Sequence, residues 1–212
     1  MSRILIAVPT YENIYPDTFK AIYQLDKGDN EVDFDFFRGY DVANARNKIA
    51  LATIERGYDY VLMVDNDEVP PHDALLNLLE TEQSYFGRCM AVGYCLSRPR
   101  STANKSGKTT AFKFGGKSYT AEDAYTGTEL KALCADGVTR VQIRGTGLGC
   151  ALIHRSVFER MKYPYFKWVL YDNKEQLSED LFFCGKFREI QMPIFVDTRV
   201  ACGHLMRHID YI

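Results

Sequence analysis

The sequence predicts an α/β fold: a single three-layer sandwich domain over residues 1–212, with helices packed on a mostly parallel central sheet. Three observations carry that expectation. Residues 4–8 are a continuous apolar run rich in β-branched residues, which suits a strand covered on both faces, and further apolar strand-like runs recur at 58–64 and 91–96. Between them lie stretches with apolar residues at helical spacing. The first two runs also stop abruptly, at Pro9-Thr10 and at Asp65-Asn66-Asp67-Glu68, and the carboxyl ends of such strands are where open α/β sheets gather ligands.

The first strand is residues 4–8. Phe19, Ile22, Tyr23 and Leu25 then follow Pro16-Asp17 at near-helical spacing, and Lys27-Gly28 supplies a stop. Residues 32–37 alternate apolar and acidic, after which Asp41-Val42-Ala43-Asn44 opens a second helix ending at Arg56-Gly57. Beyond the strand at 58–64, Pro70-Pro71 precedes a helix carrying Leu75, Leu76, Leu78 and Leu79. The strand at 91–96 gives way to residues 97–120, which are polar, basic and glycine-bearing without a period and read as a long loop. Residues 138–144 alternate, Gly145-Thr146-Gly147-Leu148-Gly149 breaks the pattern, and 150–153 is apolar again. A short helix at 156–161, a longer one at 181–190, and a late strand or strand pair at 194–196 and 200–202 complete the reading.

A hydrophobic content of 46% with 25% charged residues fits a soluble globular chain and excludes disordered and fibrous classes. A net charge of -2 argues against nucleic acid or an anionic membrane as a partner. The amino-terminal apolar run is too short for a membrane span and contains Pro9. Cys89, Cys95, Cys134, Cys150, Cys184 and Cys202 form no CxxC pair, and several sit in apolar runs; they read as buried thiols of a reducing compartment, so a cytoplasmic location is expected.

The strongest chemical signal is Asp65-Asn66-Asp67. Two carboxylates one residue apart at a strand end can share a hard divalent cation, which bridges protein oxygens to a diphosphate. The same residues also suit a polar turn leading into the next helix. Glu179-Asp180 after Ser178 reads as an acidic first helical turn favoured by the helix dipole, or as a proton acceptor with its neighbour. Arg98, Arg100, Lys105 and Lys108 lie in the long loop, where they are solvated charges or a lid that folds over a diphosphate. Tyr163, Tyr165, Phe166 and Trp168 read either as a stacking platform for a sugar ring or as core.

The run Tyr60-Val61-Leu62-Met63-Val64-Asp65-Asn66-Asp67 resembles the GT-A glycosyltransferases, whose metal-binding DxD follows a strand in this way. Further stretches match in order. Ile6-Ala7-Val8-Pro9-Thr10-Tyr11-Glu12-Asn13 resembles the first strand and donor-base loop, and Ala45-Arg46-Asn47 with Tyr58-Asp59-Tyr60 resembles the helix lining the nucleotide pocket. Residues 145–155, Ser178-Glu179-Asp180-Leu181 and Val200-Ala201-Cys202-Gly203-His204 resemble the acceptor loop, the ED motif and the carboxy-terminal histidine. The resemblance implies that Thr10, Tyr11 and Glu12 lie near the nucleoside, Arg46 near the nucleotide, and Asp65 near the ribose or metal. It also implies that Asp67 and His204 hold Mn2+ or Mg2+, that Asp180 is the base of an inverting reaction, and that Glu179 orients the acceptor. The spacing from Thr10 to Asp65 leaves room for two strand-helix units and not for a further acidic strand end that reads the base; Asp33, Asp35 or Asp41 would take that role, Asp41 first because it directly follows the strand.

The expected function is therefore metal-dependent transfer of a sugar from a nucleotide-diphosphate sugar, UDP-sugar favoured, to a hydroxyl of a carbohydrate, glycoprotein or glycolipid. A nucleotidyltransferase making nucleotide sugars is the rival enzyme, but Pro9-Thr10-Tyr11-Glu12-Asn13 is not the glycine-rich phosphate loop it needs. A nucleotide-sugar-binding domain without catalysis is the rival outside chemistry.

Overall fold

The computed structural model describes residues 1–11, 13–38, 41–96, 107–116, 119–172 and 176–205. The chain opens with β1 (Arg3–Thr10), α1 (Pro16–Tyr23), β2 (Glu31–Arg38), α2 (Val42–Glu55) and β3 (Tyr60–Val64). There follow β4 (Glu68–Val69), α3 (Ala74–Gln83), β5 (Met90–Tyr94), β6 (Lys108–Lys113), β7 (Ala124–Thr126), α4 (Gly127–Ala135), β8 (Arg140–Gly145) and β9 (Cys150–His154). Last come α5 (Arg155–Arg160), β10 (Val169–Leu170), β11 (Gln176–Leu177), α6 (Glu179–Glu189), β12 (Ile194–Ala201) and β13 (Gly203–His204).

Nine strands make the central sheet in the order β2-β1-β3-β9-β5-β12-β8-β6-β7. The α/β class stands, and the sheet is mixed. β1 runs parallel to β2 and β3, and β5 parallel to β12, as the buried runs suggest. β9 lies between β3 and β5 antiparallel to both, and β8, β6 and β7 continue antiparallel beyond β12. The apolar pattern could not show this, because a strand covered on both faces is continuously apolar whichever way it runs. β9 is such a strand, with Ala151, Leu152 and Ile153 wholly buried.

Alternation along the strands divides the core into two layers. Leu5, Ala7, Val61 and Met63 face a cluster with Ile49 of α2 and Phe183 and Phe187 of α6. Ile4, Ile6, Val8, Leu62 and Val64 face the other side, against Ile22 of α1 and Leu75, Leu78 and Leu79 of α3. Each helix thus lays its apolar stripe on the sheet, leaving the strand ends to carry polar groups.

The expected loop at 97–120 contains β6, which pairs with β7 and β8. Its inward residues are Thr109 and Ala111, too small and too polar to announce a strand. Of the expected lid, residues 97–106 and 117–118, with Arg98, Arg100 and Lys105, lie outside the described residues, while Lys108 stands in β6 and donates to the Ala124 carbonyl. α4 was not expected from apolar spacing; it is started by a capping box in which Thr126 Oγ1 accepts from the Glu129 N–H and the Glu129 carboxylate accepts from the Thr126 N–H. All six cysteines are free thiols.

Candidate active site

β3 delivers the acidic turn. The Asp65 N–H donates to the Gly149 carbonyl at 2.9 Å, which extends the β3–β9 contact by one residue. Asn66 then ties the turn to the segment after β1: its side-chain amide donates to the Asn13 carbonyl at 2.7 Å, and its own carbonyl accepts from the Tyr15 N–H. Thr10 reaches the same Asn13 carbonyl through Oγ1 at 2.6 Å. Thr10 is buried while Tyr11 is 74% exposed, and Glu12 lies outside the described residues.

The turn runs directly into β4, which pairs antiparallel with β13 so that His204 stands opposite Glu68. The Leu205 N–H donates to the Asp67 carbonyl at 2.8 Å, closing the pairing. This backbone arrangement sets His204 Nε2 3.5 Å from Asp67 Oδ2. The other ring nitrogen, Nδ1, lies 3.1 Å from the Leu96 carbonyl, which can only accept, so Nδ1 carries a proton and Nε2 is the nitrogen that faces Asp67. Asp67 raises the His204 pKa against the opposing effect of burial.

Arg46 joins this turn to the second acidic motif. From α2, Nη2 donates to both oxygens of Asp65, at 2.9 and 3.1 Å, and Nη1 donates to Glu179 Oε1. The guanidinium is 2% exposed. Burial works against its charge, but Asp65, Glu179 and Asp180 outweigh that and raise its pKa. Burial likewise raises Asp65, with Arg46 pulling down, and pushes Glu179 up to about 7. Arg46, the residue expected beside the nucleotide, thus bonds two carboxylates and fixes their positions.

Ser178 is the N-cap residue of α6, and Glu179-Asp180 form its first turn. Asp180 Oδ1 accepts from the Ser178 hydroxyl and from the Leu181 N–H at 2.8 Å. Its Oδ2 lies toward Gly147, 3.5 Å from where a Cβ would stand. Ser178 and Leu181, which flank the pair, line a cleft of about 1390 Å³ along α6, together with Tyr119, Arg144, Trp168 and Lys186. Of the expected aromatic platform, Tyr165 and Phe166 are core, whereas Trp168 lines this cleft and is 44% exposed.

Asp41 is the N-cap of α2, its carboxylate accepting from the Asn44 N–H at 3.1 Å. On β2, Asp33 accepts from the Tyr58 hydroxyl and Asp35 pairs with Arg56, each at 2.7 Å. Three residues beside the site carry no individual role in the sequence analysis. Asn47 clamps the 165–166 backbone: Oδ1 accepts from both N–H groups and Nδ2 donates to the Phe166 carbonyl. Glu68 is 4% exposed and packs so closely on Gly149 that a Cβ there would meet its carboxylate at 2.7 Å. Cys95, read only as a buried thiol, lies beside Glu68 and His204. The one available signal was that Glu68 directly follows Asp67.

The mixed nine-stranded sheet flanked by helices is an α/β fold similar to that of a GT-A glycosyltransferase. Among solved structures, the chain is similar to A197 from STIV, with a TM-score of 0.64 and 18% identity over 97% of this chain and 86% of that one. It is also similar to GalNAc-T7, crystallised with UDP, GalNAc and Mn2+, with a TM-score of 0.58 and 10% identity over 100% of this chain; it spans 45% of that chain. At these identities the likeness is one of fold. No protein-family model and no curated protein sequence matches the chain. Among the described residues, no helix is long and apolar enough to cross a membrane.

Proposed function

We propose that the chain transfers a sugar from a nucleotide-diphosphate sugar, UDP-sugar first, to a hydroxyl of a carbohydrate, glycoprotein or glycolipid. The observation that carries this reading is the β4–β13 pairing, which sets His204 Nε2 against Asp67 at the carboxyl end of β3. The residues fit a divalent cation: a carboxylate oxygen and an imidazole whose Nε2 faces it, on two backbones locked together, with the ion taking the place of the Nε2 proton. Asp67 and His204, with Asp65 beside them, would hold Mn2+ or Mg2+, which when bound supplies charge neutralisation to a diphosphate leaving group.

In this reading Thr10 and Tyr11, with Glu12 and Asp41, face the nucleoside. Arg46 holds Asp65 and Glu179 in place and so sets the turn of α6 that presents Asp180. Asp180 takes the proton of the acceptor hydroxyl as that oxygen bonds to the anomeric carbon and the nucleoside diphosphate departs, which inverts the configuration. The α6 cleft, with Trp168 in its wall, receives the acceptor.

Incubation with a panel of nucleotide sugars and Mn2+, reading nucleoside diphosphate release and transfer to acceptors, tests this. Turnover of a UDP-sugar that chelator and Asp67→Asn abolish is expected. Incorporation of sugar 1-phosphate from a nucleoside triphosphate would favour the nucleotidyltransferase, and tight donor binding with neither product would favour a binding domain.

A further inference from the structure

We propose that Glu68, Cys95 and His204 form a second cation site that takes a zinc-class ion in preference to Mn2+ and shares the His204 imidazole with Asp67. One ligand atom from each of the three side chains lies within 4.8 Å of the others. They come from separate parts of the chain: Glu68 from β4, Cys95 from just beyond β5, and His204 from β13. Antiparallel register puts Glu68 and His204 directly opposite, where cross-strand side chains meet. The His204 bond to the Leu96 carbonyl holds the ring beside Cys95.

Glu68 supplies the independent sign of a ligand. It is 4% exposed, and its Oε2 is buried with no hydrogen bond of ordinary geometry; burial raises its pKa, and the Cys95 thiol beside it holds that rise back. A buried carboxylate oxygen left unpaired is costly, and an ion is one of the few groups that removes the cost. The carboxylate is pressed against Gly149, so it cannot swing away on that side. Cys95, 7% exposed, adds sulfur to the donor set. Sulfur with imidazole nitrogen and one carboxylate suits Zn2+ or Co2+, whereas the Asp67 side of the same histidine offers oxygen and suits Mn2+ or Mg2+. An imidazole whose Nδ1–H is donated to Leu96 can ligate only through Nε2, so in this proposal the two sites are alternatives and not a pair.

The cation site stands on its own geometry; only its competition with the Asp67 site rests on the proposed function. Titration of the metal-free protein with Co2+, followed by the near-ultraviolet sulfur-to-metal charge-transfer band, reads the site directly. A band saturating at one equivalent is expected, lost in Cys95→Ser, with affinity lowered at least about tenfold in Glu68→Gln and kept in Asp67→Asn. Cys150 and Cys202 border the same small void of about 10 Å³ as Glu68 and Cys95, which makes them the rival thiols. Absence of a band in the parent, or a band that survives Cys95→Ser and disappears in Cys150→Ser or Cys202→Ser, overturns the assignment. In a second arm, Zn2+ should suppress Mn2+-dependent UDP binding in the parent and not in Cys95→Ser. If the band is present but Zn2+ leaves that binding unchanged, the shared imidazole is wrong; if UDP ignores Mn2+ altogether, the nucleotide-site reading fails while the band still decides the cation site.

Discussion

Asp65-Asn66-Asp67 at the end of β3 and Glu179-Asp180 at the start of α6 divide their carboxylates in the same way. In each, the first acid bonds Arg46 and the second points elsewhere: Asp67 toward His204, Asp180 toward Ser178 and Gly147. One buried guanidinium thus ties the strand end to the helix start. Residue type alone suggests two acidic motifs with separate jobs; the structure joins them through Asp65 and Glu179, which share Arg46. The chemistry proposed for Asp67 and Asp180 depends on a distance that Arg46 sets.

Removing the shared cation should have the largest effect. Arg46→Ala leaves Asp65 and Glu179 without their partner in the interior, and a loss of about 3–5 kcal/mol in unfolding free energy is expected by denaturant titration. If the loss were below about 1 kcal/mol, the two motifs would be held by something else. Asp180→Asn separates anchorage from chemistry: transfer should fall by about 10²- to 10⁴-fold with donor affinity unaltered in calorimetry. Near-parental transfer would return Glu179-Asp180 to an ordinary helix start.

Glu82 sharpens the comparison from the other side, as a buried carboxylate without an arginine. Burial pushes it up to about 7, with the Tyr60 hydroxyl pulling the other way. Its folded pKa is above the unfolded value of about 4.5, so between those values the folded state holds a proton that the unfolded state has released. Stability from this group is therefore complete below about pH 4.5 and lost as pH rises to about 7, by ~3 kcal/mol. Glu82→Gln should remove that part of the slope in melting curves taken from pH 5 to 8; an unchanged slope would mean that Glu82 is ionised throughout. The smallest effect belongs to Asp41, whose observed contact is a helix cap. Asp41→Ala should cost about 1 kcal/mol in stability. A change in preference between UDP and GDP in the same variant would add a base-reading role to the cap.

The strand before the acidic turn was legible because Val61 to Val64 are all buried, and burial on both faces writes a continuous apolar run. The approach of His204 to Asp67 was legible only through resemblance. β4 and β13 are two residues each, too short for any period, and their pairing is a long-range event. The bonds of Arg46 to Asp65 and Glu179 were not legible for a related reason: an arginine on a predicted helix looks the same in sequence whether it faces a ligand or two buried acids. Cys95 and Glu68 were out of reach separately, since a thiol in an apolar run reads as a small hydrophobe until the fold sets a carboxylate and an imidazole beside it.

The central claim is that a divalent ion held by Asp67 and His204 binds the diphosphate of the donor. Calorimetry of UDP against the parent protein, once in Mn2+ and once in excess chelator, tests it most directly, with Asp67→Asn as the third titration. The account predicts affinity in Mn2+ at least about tenfold above that in chelator, a difference of about 1.4 kcal/mol, and no such gain in Asp67→Asn. Equal affinity in Mn2+ and in chelator would contradict it.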